Sequence, residues 1–187
     1  MTIEKVFIDA NTLLANSFRL AEQVRQDDFA PTHIIGIWRG GAPVGIAVQE
    51  FLEYHGHHAD HIAVRTSSYE AIDQQAATVR VFSVSYLIKV LNSTDRLLLI
   101  DDVFDSGRSI AALIDKLQTR CRRNMPEQVK IATVYWKPSR NKTELKPDYY
   151  VEETEQWLVF PHELKGLTPE EIRANKVPAG LILGEEG

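Results

Sequence analysis

Short aliphatic runs alternate along this chain with stretches whose apolar residues return every third or fourth position. From 11 to 29, Leu13, Leu14, Phe18, Leu20, Ala21 and Val24 keep helical spacing, and Pro31 closes the run. HIIGIW (33–38) is a β-branched run bounded by Arg39-Gly40-Gly41, which predicts a buried strand. Residues 44–54 then predict a helix, HIAVRTS (61–67) a second strand, 68–78 a polar loop and 84–91 a short helix. LLLI (97–100) predicts a third strand, 109–122 a helix and 129–136 a fourth strand. Strands that are apolar almost throughout, alternating with helices, predict an α/β fold whose mostly parallel sheet is flanked by helices on both faces. In such sheets ligands bind beyond the C-terminal strand ends. Three of those ends, at 38–41, 65–69 and 101–109, carry glycines, charges and hydroxyls, so one shared site is expected. After 151 the periodicity breaks down, and Trp157, Phe160 and Pro161 fall in a segment expected to form a flap at the sheet edge. The last residues, VPAGLILGEEG, read as a loosely held tail.

Composition narrows the class. A chain of 187 residues points to one domain, with a core at about 30–151 and a small appendage at about 152–166 before the tail. The net charge of −5 disfavours non-specific binding to nucleic acid. The single cysteine, Cys121, forms no internal disulfide, and no zinc spacing is present, which fits a reducing compartment. The N-terminal residues lack an apolar run of signal-peptide length, and no segment approaches the roughly 20 apolar residues of a membrane span. A cytoplasmic protein without a membrane or nucleic-acid partner is expected. His55, His57, His58 and His61 crowd one short stretch, but its glycine and the approaching strand argue for a polar connection rather than a metal site.

The chemistry concentrates in LLLIDDVFDSGRSI (97–110). A buried strand delivers Asp101 and Asp102 at its exit, and strand alternation predicts that their carboxylates point to opposite sides. Asp105, Ser106, Gly107, Arg108 and Ser109 then open a helix, where converging amides and the positive end of the dipole suit a phosphate. The bland alternative is a helix cap by Asp105 or Ser106. A P-loop NTPase would need GxxxxGK[ST], which the chain lacks. A haloacid dehalogenase would need Asp-x-Asp directly after the strand, and a receiver domain would place its acidic pair near its N-terminus.

The aliphatic strand, paired acids, two spacers and Asp-Ser-Gly-x-Ser resemble the signature by which type I phosphoribosyltransferases bind 5-phosphoribosyl diphosphate (PRPP). Serines stand at both hydroxyl positions, which keeps the donor chemistry. The resemblance implies that Asp101 and Asp102 hold the ribose hydroxyls and the magnesium side of PRPP, while 105–109 cradle the 5′-phosphate. GIWRGGAPVG (36–45) resembles the diphosphate loop of the purine enzymes, with Arg39, Gly40 and Gly41 as its binding residues and a strained or cis peptide at Arg39-Gly40. Ser68 and Tyr69 resemble the start of the family's flexible lid, in which Arg80 is a candidate cation. Lys137 stands where the purine enzymes donate to the exocyclic O6 of a 6-oxopurine. QWLVFPHE (156–163) resembles their hood: Trp157 would stack on the base, the backbone near Leu158 would bond its edge, and Glu163, where Asp is usual, would reach magnesium together with Asp102.

Together these imply a single phosphoribosyltransferase domain that joins PRPP to hypoxanthine, guanine or xanthine with Mg2+, Asp105 taking the proton of the base. Similar enzymes are homodimers or homotetramers. A PRPP-binding regulator of the same fold acting on nucleic acid, or an enzyme for another base, is the alternative.

Overall fold

Leu97, Leu98, Leu99 and Ile100 are wholly buried, as a strand covered on both faces requires. Each such side chain contributes about 1.5–3 kcal/mol of burial free energy. They form the middle of the longest sheet in a computed structural model that describes residues 4–69 and 78–176. In chain order the elements are β1 (Lys5–Phe7), α1 (Ala10–Gln26), β2 (His33–Trp38), α2 (Gly41–Tyr54), β3 (Asp60–Tyr69) and β4 (Thr78–Val81). There follow α3 (Ser85–Val90), β5 (Arg96–Phe104), α4 (Arg108–Cys121), β6 (Gln128–Trp136), β7 (Tyr149–Glu153), β8 (Trp157–Val159) and α5 (Pro169–Asn175).

Two compact units emerge. The larger, Leu14–Glu155, holds a six-stranded sheet in the order β4-β3-β2-β5-β6-β7. Its pairs are parallel except β3 with β4, which is antiparallel. Helix α2 lies against β2 and β5, and α4 lies against β3 and β4. Ile35, Ile37, Val64, Leu97 and Leu99 of the sheet join Leu113, Leu117 and Cys121 of α4 in one core. The smaller unit draws on both ends of the described chain, where β1 pairs with β8 in parallel and α5 opens with a Thr168–Glu171 capping box. No helix among the described residues is long and apolar enough to cross a membrane.

Several elements differ from expectation. The third predicted strand does not end at Ile100 but runs to Phe104, because β6 keeps pairing with it beyond the aspartates. Part of the expected loop 68–78 is strand: β3 reaches Tyr69 and pairs with β4, while 70–77 lie outside the described residues. The tail 177–187 lies outside them too. In α1 the buried stripe is Leu13, Asn16, Ser17, Leu20, Ala21 and Val24, whereas Leu14 and Phe18 are exposed. Asn16 tolerates burial because Glu152 accepts from its amide at 3.0 Å, a bond that hydrophobicity patterning does not register. His61 sits in β3, as the predicted strand from 61 places it, with its Nδ1 2.8 Å from Gln49 Oε1 of α2.

Candidate functional site

The site begins where the central strands part. β2 pairs with β5 from His33↔Leu97 to Gly36↔Ile100 and no further. Beyond that point β2 follows β3 to Trp38↔Arg65, and β5 follows β6 to Phe104↔Trp136. The Arg39-Gly40-Gly41 turn folds into the gap. A Cβ on Gly40 would lie 1.8 Å from Asp102 Oδ2, and one on Gly41 2.3 Å from the Ile100 carbonyl oxygen. Both positions therefore require glycine. The cis peptide is Trp38–Arg39, one bond earlier than expected, and Gly40 has helical dihedrals (φ −66°, ψ −32°) as the N-cap of α2. Arg39 is exposed and forms no ion pair among the described residues.

The Asp102 amide donates to Asp101 Oδ1 at 3.0 Å, and the Val103 amide donates to Asp102 Oδ1 at 2.8 Å. β2 no longer pairs with β5 at this level, and the Asp102 carboxylate lies against Gly40 of the neighbouring turn. Burial, then the neighbouring Asp102 charge, raises the Asp101 carboxyl well above the ordinary carboxylate range.

Past Phe104 the chain turns into α4. Gly107 takes φ +73°, and a Cβ there would sit 2.6 Å from Thr143 Oγ1 and 2.7 Å from the Phe104 ring. No side chain caps α4, so its first-turn amides are left for another acceptor. Asp101, Val103, Phe104, Asp105, Ser106, Gly107, Ser109 and Ile110 line a cavity of about 80 Å³ at this helix end. Arg108 is exposed beside it. Asp105 is occupied elsewhere: Arg140 Nε donates to its Oδ1 at 2.9 Å, and the buried Lys137 places Nζ 3.6 Å from its Oδ2.

Arg140 escaped the sequence reading, where it stands in an unremarkable polar turn, Pro138–Arg140. That turn is fastened from three directions. The Lys137 amide donates to the Phe104 carbonyl at 2.9 Å, and the Lys142 amide donates to the Ser106 carbonyl at 3.0 Å. On the far side the Ser139 amide donates to Glu155 at 3.1 Å and the Ser139 hydroxyl donates to the same carboxylate. These bonds, hydroxyl first, hold Glu155 below the ordinary carboxylate range.

Ser68 and Tyr69 end the β3 arm, in register with Val79 and Thr78. Arg80 of the same arm lines a separate groove of about 580 Å³ with Lys116 and Arg120 of α4, which shares no lining residue with the Asp105 cavity. Trp157, Leu158 and Glu163 belong to the smaller unit. Trp157 is half exposed on β8 and Leu158 is buried. Glu163 accepts the Phe160 amide at 3.0 Å and so closes its own turn. Lys176, also buried, donates to the Phe160 carbonyl from the other side at 2.5 Å, and burial lowers its ammonium below the ordinary value.

Residues 8–166 match the phosphoribosyl transferase domain. The chain is 26% identical over 149 residues to a hypoxanthine-guanine phosphoribosyltransferase of Lactococcus lactis, a stretch covering 79% of this chain and 75% of that protein. Among solved structures, a purine phosphoribosyltransferase from Pyrococcus horikoshii superposes with a TM-score of 0.66 at 25% identity, over 89% of this chain and 98% of its own. A protein from Neisseria gonorrhoeae solved with bound ppGpp shares the fold at 18% identity, with a TM-score of 0.74 over 96% of this chain and 99% of that one.

Proposed function

The chain belongs to the phosphoribosyl transferase domain family, and on that premise we propose that it transfers the 5-phosphoribosyl group of PRPP to N9 of a 6-oxopurine. The observation that carries this reading is Asp105, held between Lys137 and Arg140 at the rim of an uncapped helix end. A phosphate acceptor, a carboxylate and a buried ammonium then converge where a nucleotide would form. The purine names of the Lactococcus and Pyrococcus relatives point the same way.

In the proposed reaction N9 attacks C1′ and the bond from C1′ to the diphosphate oxygen breaks. The amides and hydroxyls of Ser106, Gly107, Arg108 and Ser109 bind the 5′-phosphate. Arg39 and the amides of Gly40 and Gly41 receive the departing diphosphate. Ser68 and Tyr69 begin a lid that excludes water from the reaction centre. Asp105 accepts the N7 proton of the base, and Lys137 donates to O6, a pairing that disfavours the 6-amino group of adenine. Trp157 offers an exposed flat face for the purine, and Leu158 backbone groups bond its edge.

Paired, partly buried carboxylates fit magnesium, which binds through one or two carboxylates together with substrate oxygens. Asp101 and Asp102 would hold it with the ribose hydroxyls, and Glu163 would act through water. Bound there, the ion supplies charge neutralisation to the diphosphate. A homodimer or homotetramer and a cytoplasmic site of action complete the proposal. The test is release of pyrophosphate from PRPP and Mg2+ with a panel of nucleobases. Turnover with hypoxanthine, guanine or xanthine supports it, and failure with every base overturns it.

A further inference from the structure

We propose that Arg140 is a positioning residue that fixes the carboxylate of Asp105 for proton transfer, and that Ser139 and Glu155 in turn hold Arg140. The inference rests on the phosphoribosyl-transfer reading. Its ground is a difference between the two cations around Asp105. Lys137 stands 3.6 Å from Oδ2, an ion-pair distance but longer than a hydrogen bond. Arg140 Nε donates to Oδ1 at 2.9 Å, within hydrogen-bond range and charge-assisted. The buried lysine thus faces the carboxylate at ion-pair distance only, which leaves its ammonium without a hydrogen bond to Asp105. The arginine is the constant partner. It fixes Oδ1 and leaves Oδ2, which the Lys137 ammonium faces at 3.6 Å without a hydrogen bond, as the acceptor edge.

A half-exposed arginine would ordinarily be too mobile for such work, since holding a long side chain in one geometry costs rotamer entropy. Here the backbone that carries it is held. The neighbouring Ser139 gives both its amide and its hydroxyl to Glu155, while Lys137 and Lys142 tie the two ends of the turn to Phe104 and Ser106. The positioning chain therefore runs from Glu155 through Ser139 and Arg140 to Asp105. Misplacing a reacting group by about 1 Å can cost about 100-fold in rate, so such a chain matters to turnover rather than to binding.

The experiment compares wild type, Arg140→Ala, Arg140→Lys and Glu155→Gln in steady-state kinetics with a 6-oxopurine, with PRPP affinity measured by calorimetry. Arg140→Ala should lower kcat by about 10- to 100-fold with PRPP affinity changed less than about twofold. Added guanidinium chloride, at concentrations that leave wild type unaffected, should restore part of the loss, whereas methylammonium should not. Arg140→Lys should recover little, because an ammonium lacks the guanidinium fork. Glu155→Gln should lower kcat in the same direction by less. An unchanged kcat in Arg140→Ala overturns the inference. So does a matching loss of PRPP affinity, which would make Arg140 a substrate-phosphate contact, or a loss that guanidinium does not restore. An inactive wild type overturns the functional reading itself, and this inference with it.

Discussion

Gly40 has no room for even a methyl group, since a Cβ would overlap the Asp102 carboxylate at 1.8 Å. Gly40→Ala must therefore displace the Asp102 carboxylate, and should cost about 2 kcal/mol in urea unfolding as well as most PRPP affinity in calorimetry if the turn receives the diphosphate as proposed. Asp105 is a separate matter, because its carboxylate faces cations rather than backbone. Asp105→Asn keeps the shape and removes the proposed proton acceptor, so kcat should fall by about 100-fold or more while PRPP affinity stays nearly intact. An unchanged kcat would take Asp105 out of that role. At this scale the sequence was informative where partners are neighbours: the run from Asp101 to Ser109 folds locally into one strand end and one helix start. Arg140 was not legible, because its partner lies 35 positions away and a polar turn residue gives no sign of whom it will meet.

Among the elements, the seat of α2 on β2 has a titratable group inside it. His61 Nε2 would stand 3.3 Å from a Cβ on Gly36 and 2.9 Å from one on Gly45, so the imidazole fills space left by two glycines. Burial holds its proton affinity below the ordinary value. The unfolded chain therefore takes up the proton first as pH falls. The stabilisation is complete above about pH 6.5 and is lost as pH drops through the lowered folded value. Urea midpoints should accordingly decline from about pH 7 to pH 5 more steeply in wild type than in His61→Asn, and equal slopes would refute the assignment. Element positions were legible wherever apolar runs were continuous, as in β2, β5 and β6. The burial register of α1 was not, since Asn16 and Ser17 occupy buried positions that their polarity assigns to the surface.

For the molecule as a whole, the chain ends matter more than their sequence suggests. Lys5, Val6 and Phe7 pair with Trp157, Leu158 and Val159, so the segment assigned to the base edge is held as a strand by the N-terminus. A three-residue run gives too little periodicity to predict such a pairing, which spans most of the chain. Val6→Pro removes a backbone donor from that ladder and should raise KM for the purine several-fold, about tenfold at most, with PRPP affinity unchanged. Equal purine KM values would detach β8 from base recognition. In the larger unit, the bonds from Lys137 to Phe104 and from Lys142 to Ser106 join two loops that the chain keeps some 35 positions apart. For anyone redesigning the preferred base, those loops are a single cassette. Grafting 137–143 from a relative without its matching 104–107 would carry over the proposed O6 donor and leave behind the surface it is sewn to.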